Sequence, residues 1–129
     1  MPQTTTLQKK AAKRALIVED EGEMGLLLNI FIDESELELD YVKDLLSAEA
    51  YLDKEQPAIV ILDNKLPDGF GVDFISYIKK KYPSMKIIMI SGFSSVRDVA
   101  LENGADVFLE KPFTRAKLYE AIHGLLPTL

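Results

Sequence analysis

Four short segments of the chain carry side chains able to do chemistry together: Glu19-Asp20-Glu21, Asp63, Ser91-Gly92 and Glu110-Lys111-Pro112. Each follows an apolar run, so each is expected at the carboxyl end of a strand. Carboxylates, a hydroxyl and an ammonium would then converge on one edge of a sheet. A polar residue after an apolar strand often marks only the point where the chain reaches solvent. Four such ends with complementary chemistry are harder to assign to solvent alone. Carboxylates gathered in one pocket repel, and each is costly to keep ionised unless a cation sits among them. The set therefore asks for a hard divalent metal. Magnesium suits it, because this ion takes one or two carboxylates, keeps several waters and leaves positions for phosphate oxygens.

The elements that would position these groups follow from the apolar pattern. Short apolar runs at 15–18 (ALIV), 37–42 (LELDYV), 58–63 (AIVILD), 86–91 (KIIMIS) and 106–110 (DVFLE) read as five strands. The third and fourth are apolar on successive residues, as strands covered by helices on both faces must be, which makes them central. Helical spacing fills the intervals: Met24, Leu27, Leu28 and Phe31 in the first helix, Phe74, Ile75 and Ile78 in the third, and Leu118, Ala121, Ile122 and Leu125 in the last. Pro67-Asp68-Gly69 breaks the chain after the third strand, Asn103-Gly104 can close the fourth helix, Thr114 can cap the fifth, and Pro127 stops the pattern. Strand and helix alternating five times predicts an α/β fold, a doubly wound parallel sheet with right-handed crossovers and helices on both faces. The segment from Asp33 to Asp44 is the least defined, since no glycine marks its turn.

Composition bounds the function. With 129 residues, 47% hydrophobic and 28% charged, the chain fits one globular domain. Residues 1–13 are polar without apolar period and read as a flexible leader; 14–127 form the domain. A formal charge of -6 disfavours nucleic-acid or anionic-membrane binding by this chain. No cysteine is present, so disulfides and thiolate metal sites are excluded. No apolar stretch reaches the ~20 residues of a membrane span. A cytoplasmic location is the expectation. His123, on the last helix, and the acid run Asp33-Glu34-Ser35-Glu36 read as surface features away from the strand ends.

VEDE (18–21), ILDNKLPDGFG (61–71), MISG (89–92) and FLEKPF (108–113) resemble the signatures of the response regulator receiver domain, the chemotaxis-regulator-like module of two-component signalling. The resemblance covers 14–126, and the separations of 28 residues from Asp63 to Ser91 and 20 from Ser91 to Lys111 agree with it. It implies a flavodoxin-like sheet of strand order 2-1-3-4-5 with five helices. It implies Asp63 as the phosphoacceptor and a Mg2+ ion held by Asp20, Asp63 and the backbone carbonyl of Lys65, with Glu19 holding a metal-bound water. Ser91 and Lys111 would each bind a phosphoryl oxygen, Phe108 takes the aromatic switch position, and the Lys111-Pro112 bond is expected to be cis. The implied partners are a histidine kinase or phosphotransfer protein upstream and a downstream protein that meets the face of helix four, strand five and helix five.

The residue types fit that chemistry. An aspartate with an unperturbed pKa of about 3.9 is already ionised at neutral pH and needs no general base to attack phosphorus. Phosphoryl transfer then depends on positioning and neutralisation of charge on three equatorial oxygens. The chain would catalyse only its own phosphorylation and dephosphorylation. Gly92 would leave space beside the phosphoryl, and Lys65 and Phe93, two residues beyond Asp63 and Ser91, would tune its lifetime. The sequence departs from the commonest pattern in carrying Glu19 where aspartate is usual. A haloacid-dehalogenase-type phosphatase would want a second acid where Lys65 stands. A flavodoxin-type electron carrier would not place Glu19-Asp20-Glu21 where a flavin phosphate sits. The remaining alternative is a degenerate receiver that works as an interaction module without phosphorylation.

Overall fold

A computed structural model describes residues 13–32 and 36–127. Five strands, β1 (Lys13–Val18), β2 (Leu37–Val42), β3 (Ile59–Asp63), β4 (Lys86–Ser91) and β5 (Val107–Glu110), form one parallel sheet. Five helices alternate with them: α1 (Gly22–Phe31), α2 (Leu45–Lys54), α3 (Gly71–Lys81), α4 (Arg97–Asn103) and α5 (Arg115–Leu125). The spatial order of the strands is β2-β1-β3-β4-β5, the flavodoxin-like order expected. All five strand assignments hold within two residues at each end, including β2, whose preceding turn carries no glycine. The expected leader falls almost wholly on residues that lie outside those described, as do Asp33, Glu34 and Ser35 of the acid run.

Alternation along each strand divides the core into two layers. Ala15, Ile17, Ile59, Ile61, Ile88, Ile90 and Leu109 point to one face and pack against Leu28 of α1 and Leu118 and Ile122 of α5. Leu16, Val18, Val60, Leu62, Ile87 and Met89 point to the other and pack against Ala48 and Leu52 of α2, Phe74, Ile75 and Ile78 of α3, and Ala100 of α4. Every residue of β3 is buried, which explains its unbroken apolar run.

Local chemistry fixes the helix ends. Thr114 Oγ1 accepts from the Lys117 N–H (3.1 Å) at the start of α5. Gly104 closes α4 at φ +116°, a backbone geometry that side chains oppose. Asp73 in the first turn of α3 and Lys79, Lys80 and Lys81 in its last match the helix dipole. Among the described residues no helix is long and apolar enough to cross a membrane.

Candidate functional site

The sheet reverses direction of winding between β1 and β3, so the loops after these strands diverge and leave a crevice at their carboxyl ends. Glu19, Asp20 and Glu21 follow β1, Asp63 ends β3, Ser91 ends β4, and Lys111 directly follows β5. Backbone bonds hold these ends level: the Glu19 N–H donates to Val42 O (3.1 Å), Asn64 N–H to Ile90 O (3.1 Å) and Lys111 N–H to Ser91 O (2.8 Å). The Lys111-Pro112 bond is cis, as the family resemblance implied.

Asp63 is only 5% exposed. Lys111 Nζ stands 3.2 Å from its Oδ1 and 3.3 Å from its Oδ2, and 3.4 Å from Glu21 Oε1. The Asn64 N–H donates to Asp63 Oδ1 (2.8 Å). Burial pushes the Asp63 carboxyl above the usual range, the charge and hydrogen bonds of Lys111 and the Asn64 N–H pull it back, and the Glu21 charge adds to the rise. Asp20, Glu21 and Asp63 each offer a carboxylate oxygen, all within 4.8 Å of one another. Three oxygen donors with two exposed members suit a hard divalent cation that keeps part of its water.

Glu19 is placed differently. It is 7% exposed, its carboxyl is pushed up chiefly by burial, and it does not belong to the three-carboxylate cluster. Its Oε2 is buried with no hydrogen-bond partner among the described residues. Ser91, 2% exposed, accepts from the Phe93 N–H (3.0 Å) on its hydroxyl oxygen, an arrangement that keeps the O–H proton for another acceptor. A Cβ on Gly92 would meet nothing within 4 Å, so the space beside Ser91 is open. Lys65 Nζ lies over the exposed Phe93 ring, 5.7 Å from its centroid, so the two expected tuning residues touch. Phe108 is half-buried: it packs on the α2–α3–α4 core layer and lines a crevice with Ser94, Arg97 and Lys117.

The loop after Asp63 is anchored by hydrogen bonds that sequence reasoning did not foresee. Asn64 Oδ1 accepts from the Val72 N–H (3.1 Å), and Asn64 O accepts from the Gly71 N–H (2.7 Å), tying the neighbour of Asp63 to the start of α3. Asp68 Oδ1 and Oδ2 accept from the Leu45 and Leu46 N–H groups (2.9 and 3.0 Å), capping α2 from a different loop. Between Asn64 and Gly71, Lys65–Leu66 and Gly69–Phe70 pair as a two-residue antiparallel ribbon. Glu21 was grouped with its neighbours in sequence, but only the structure brings it to Lys111. His123 is not a simple surface residue: it stacks on Tyr119 (centroids 3.9 Å apart) and its Nε2 lies 3.3 Å from Glu36, far from the strand-end site.

The fold is a doubly wound α/β domain that gathers acidic side chains at the switch point of its sheet, around a buried aspartate paired with lysine. The sequence profile of the response regulator receiver domain matches residues 15–123, and the chain belongs to that family, a signalling module of two-component systems. It is 32% identical over 112 residues to the response regulator protein PilR of Pseudomonas aeruginosa, covering 85% of this chain and 25% of PilR. It is 29% identical over 119 residues to the phosphate regulon transcriptional regulatory protein PhoB of Escherichia coli, covering 89% of this chain and 52% of PhoB. The chain thus spans from a quarter to about half the length of these relatives. Among solved structures, a CheY-like response regulator receiver domain protein from Methanospirillum hungatei superposes with a TM-score of 0.83 at 27% identity, covering 91% of this chain and 95% of the other.

Proposed function

We propose that Asp63 accepts a phosphoryl group from the phosphohistidine of a histidine kinase or phosphotransfer protein and that the resulting aspartyl phosphate switches the domain between two packings. The observation that carries this reading is the contact of Lys111 Nζ with both oxygens of a buried Asp63, beside a cluster of carboxylates at the switch point. An Asp63 oxygen forms the new bond to phosphorus as the N–P bond of the donor breaks, and the imidazole leaves with that bond's electron pair. Lys111, freed from one Asp63 oxygen, pairs with a phosphoryl oxygen, and Ser91 donates its O–H to another.

Asp20, Asp63 and the Lys65 backbone carbonyl would hold magnesium, with Glu19 acting through water; Glu21 is a further carboxylate within reach of the same ion. The unpartnered Glu19 Oε2 and the oxygen-only donor set fit that ion. When bound, magnesium supplies positive charge against the phosphoryl oxygens.

Drawing Ser91 inward moves the loop that also carries Phe93, and Phe108 then fills the space vacated on the α4–β5–α5 face, where a downstream partner reads the state. Incubation with phosphoramidate and magnesium tests the reading. The intact protein should gain the mass of one phosphoryl group, and Asp63→Asn should gain none; equal labelling of the two would reject it.

A further inference from the structure

Glu19 is one methylene longer than aspartate, and its carboxylate has to be accommodated in a nearly closed space. The space is made by α1. A Cβ built on Gly25 would stand 2.5 Å from Glu19 Oε1, a separation that real Cβ atoms do not show, and 3.4 Å from Cε1 of the Tyr41 ring. Gly25 is itself buried. Tyr41 packs beside the same glycine: its hydroxyl donates to the Gly25 carbonyl (3.2 Å), with Asn29 Oδ1 also in reach (3.3 Å). The glutamate is thus nearly buried against the bare helix backbone at Gly25, with its second oxygen buried and unpartnered among the described residues.

We infer that Gly25 is a positioning residue, its missing side chain forming the seat of the Glu19 carboxylate, so that Glu19 and Gly25 are a matched pair. The pair lets glutamate stand at the first acidic position while leaving one oxygen for a donor supplied by the site. A glycine in the fourth position of a ten-residue helix weakens that helix, and no turn or positive φ calls for one there. The close approach of Glu19 accounts for it.

This inference rests on the proposed magnesium site, and the experiment separates the two. Wild type, Gly25→Ala, Glu19→Asp and the double variant are compared by magnesium titration of amide NMR shifts and by thermal melting in chelator. Gly25→Ala should weaken magnesium binding by roughly tenfold, the scale seen when groups that orient metal ligands are lost. In the Glu19→Asp background, whose shorter side chain leaves the seat empty, the same change should alter affinity by less than about threefold. In chelator, Gly25→Ala should lower the melting temperature in the wild-type background and raise it in the Glu19→Asp background, where only helix propensity remains. A rise in both backgrounds with unchanged magnesium affinity would overturn the pairing. If wild type itself bound no magnesium, the proposed metal site would fail, and the melting cycle alone would decide whether Gly25 seats Glu19.

Discussion

Lys111 Nζ bridges Asp63 and Glu21, 3.3 Å or less from both Asp63 oxygens and 3.4 Å from Glu21 Oε1. It is a cation among three clustered carboxylates, so its removal leaves the buried Asp63 without its ion pair. Lys111→Met should slow phosphorylation from phosphoramidate by roughly 10²-fold, the scale for losing one preorganised charge on a developing anion. Intact-mass kinetics measure it, and a rate within a few-fold of wild type would remove Lys111 from the phosphoryl site.

Gly71 meets the backbone of Asp63. A Cβ there would lie 2.3 Å from Asp63 O and 3.0 Å from Leu62 Cγ, atoms held by β3 and unable to retreat. Gly71→Ala should destabilise the domain by about 1–3 kcal/mol, the cost of overpacking a filled site. Gly124→Ala, where the added atom would meet nothing within 4 Å, should be neutral or slightly stabilising. Urea denaturation of both variants checks the contrast.

Asp68 ties the loop after Asp63 to the start of α2, and the Leu45 and Leu46 N–H groups hold its carboxyl below the usual range. A depressed carboxyl contributes stability that is present above its unfolded pKa and lost as pH falls through the folded one. The melting-temperature difference between wild type and Asp68→Ala should therefore be constant from about pH 7 to 5 and shrink below the ordinary aspartate value of about 3.9. A difference independent of pH down to acid unfolding would mean that the cap acts without its charge.

Lys65 and Phe93 meet over the open side of the site, Nζ 5.7 Å from the ring centroid. We expect Lys65 to shield the acyl phosphate and Phe93 to crowd attacking water, so alanine at either position should speed hydrolysis by about twofold to fivefold, the scale of an exposed cation–π contact. Because the side chains touch, the double variant should fall short of the product of the single effects. Phosphate release after removal of donor gives the rates.

The layers of the sheet were legible because β3 and β4 are apolar on successive residues, Ile59–Leu62 and Ile87–Ile90, and so must be covered on both faces. The strand-end groups were legible from their position after those runs, and Asp63 and Lys111 do meet. What the sequence hid was side-chain direction. Glu19, Asp20 and Glu21 are consecutive, and only the start of α1 decides that Glu21 turns to Lys111 while Glu19 turns to Gly25. The Asp68 cap was hidden for a similar reason: its partners lie 22 and 23 residues away on another element, a pairing without local periodicity. His123 reads as a surface residue on its own helix; its contact with Glu36 comes from how α5 meets the turn before β2.

The central claim is that Asp63 is the input of a switch that reaches Ser91 and Phe108. Beryllofluoride with magnesium mimics an aspartyl phosphate, and amide NMR of wild type and Asp63→Asn reads the response residue by residue. Large shifts at Asp63, Ser91 and Phe108 in wild type that vanish in Asp63→Asn are the predicted result. An unchanged wild-type spectrum would contradict the account and leave an interaction module on a receiver fold.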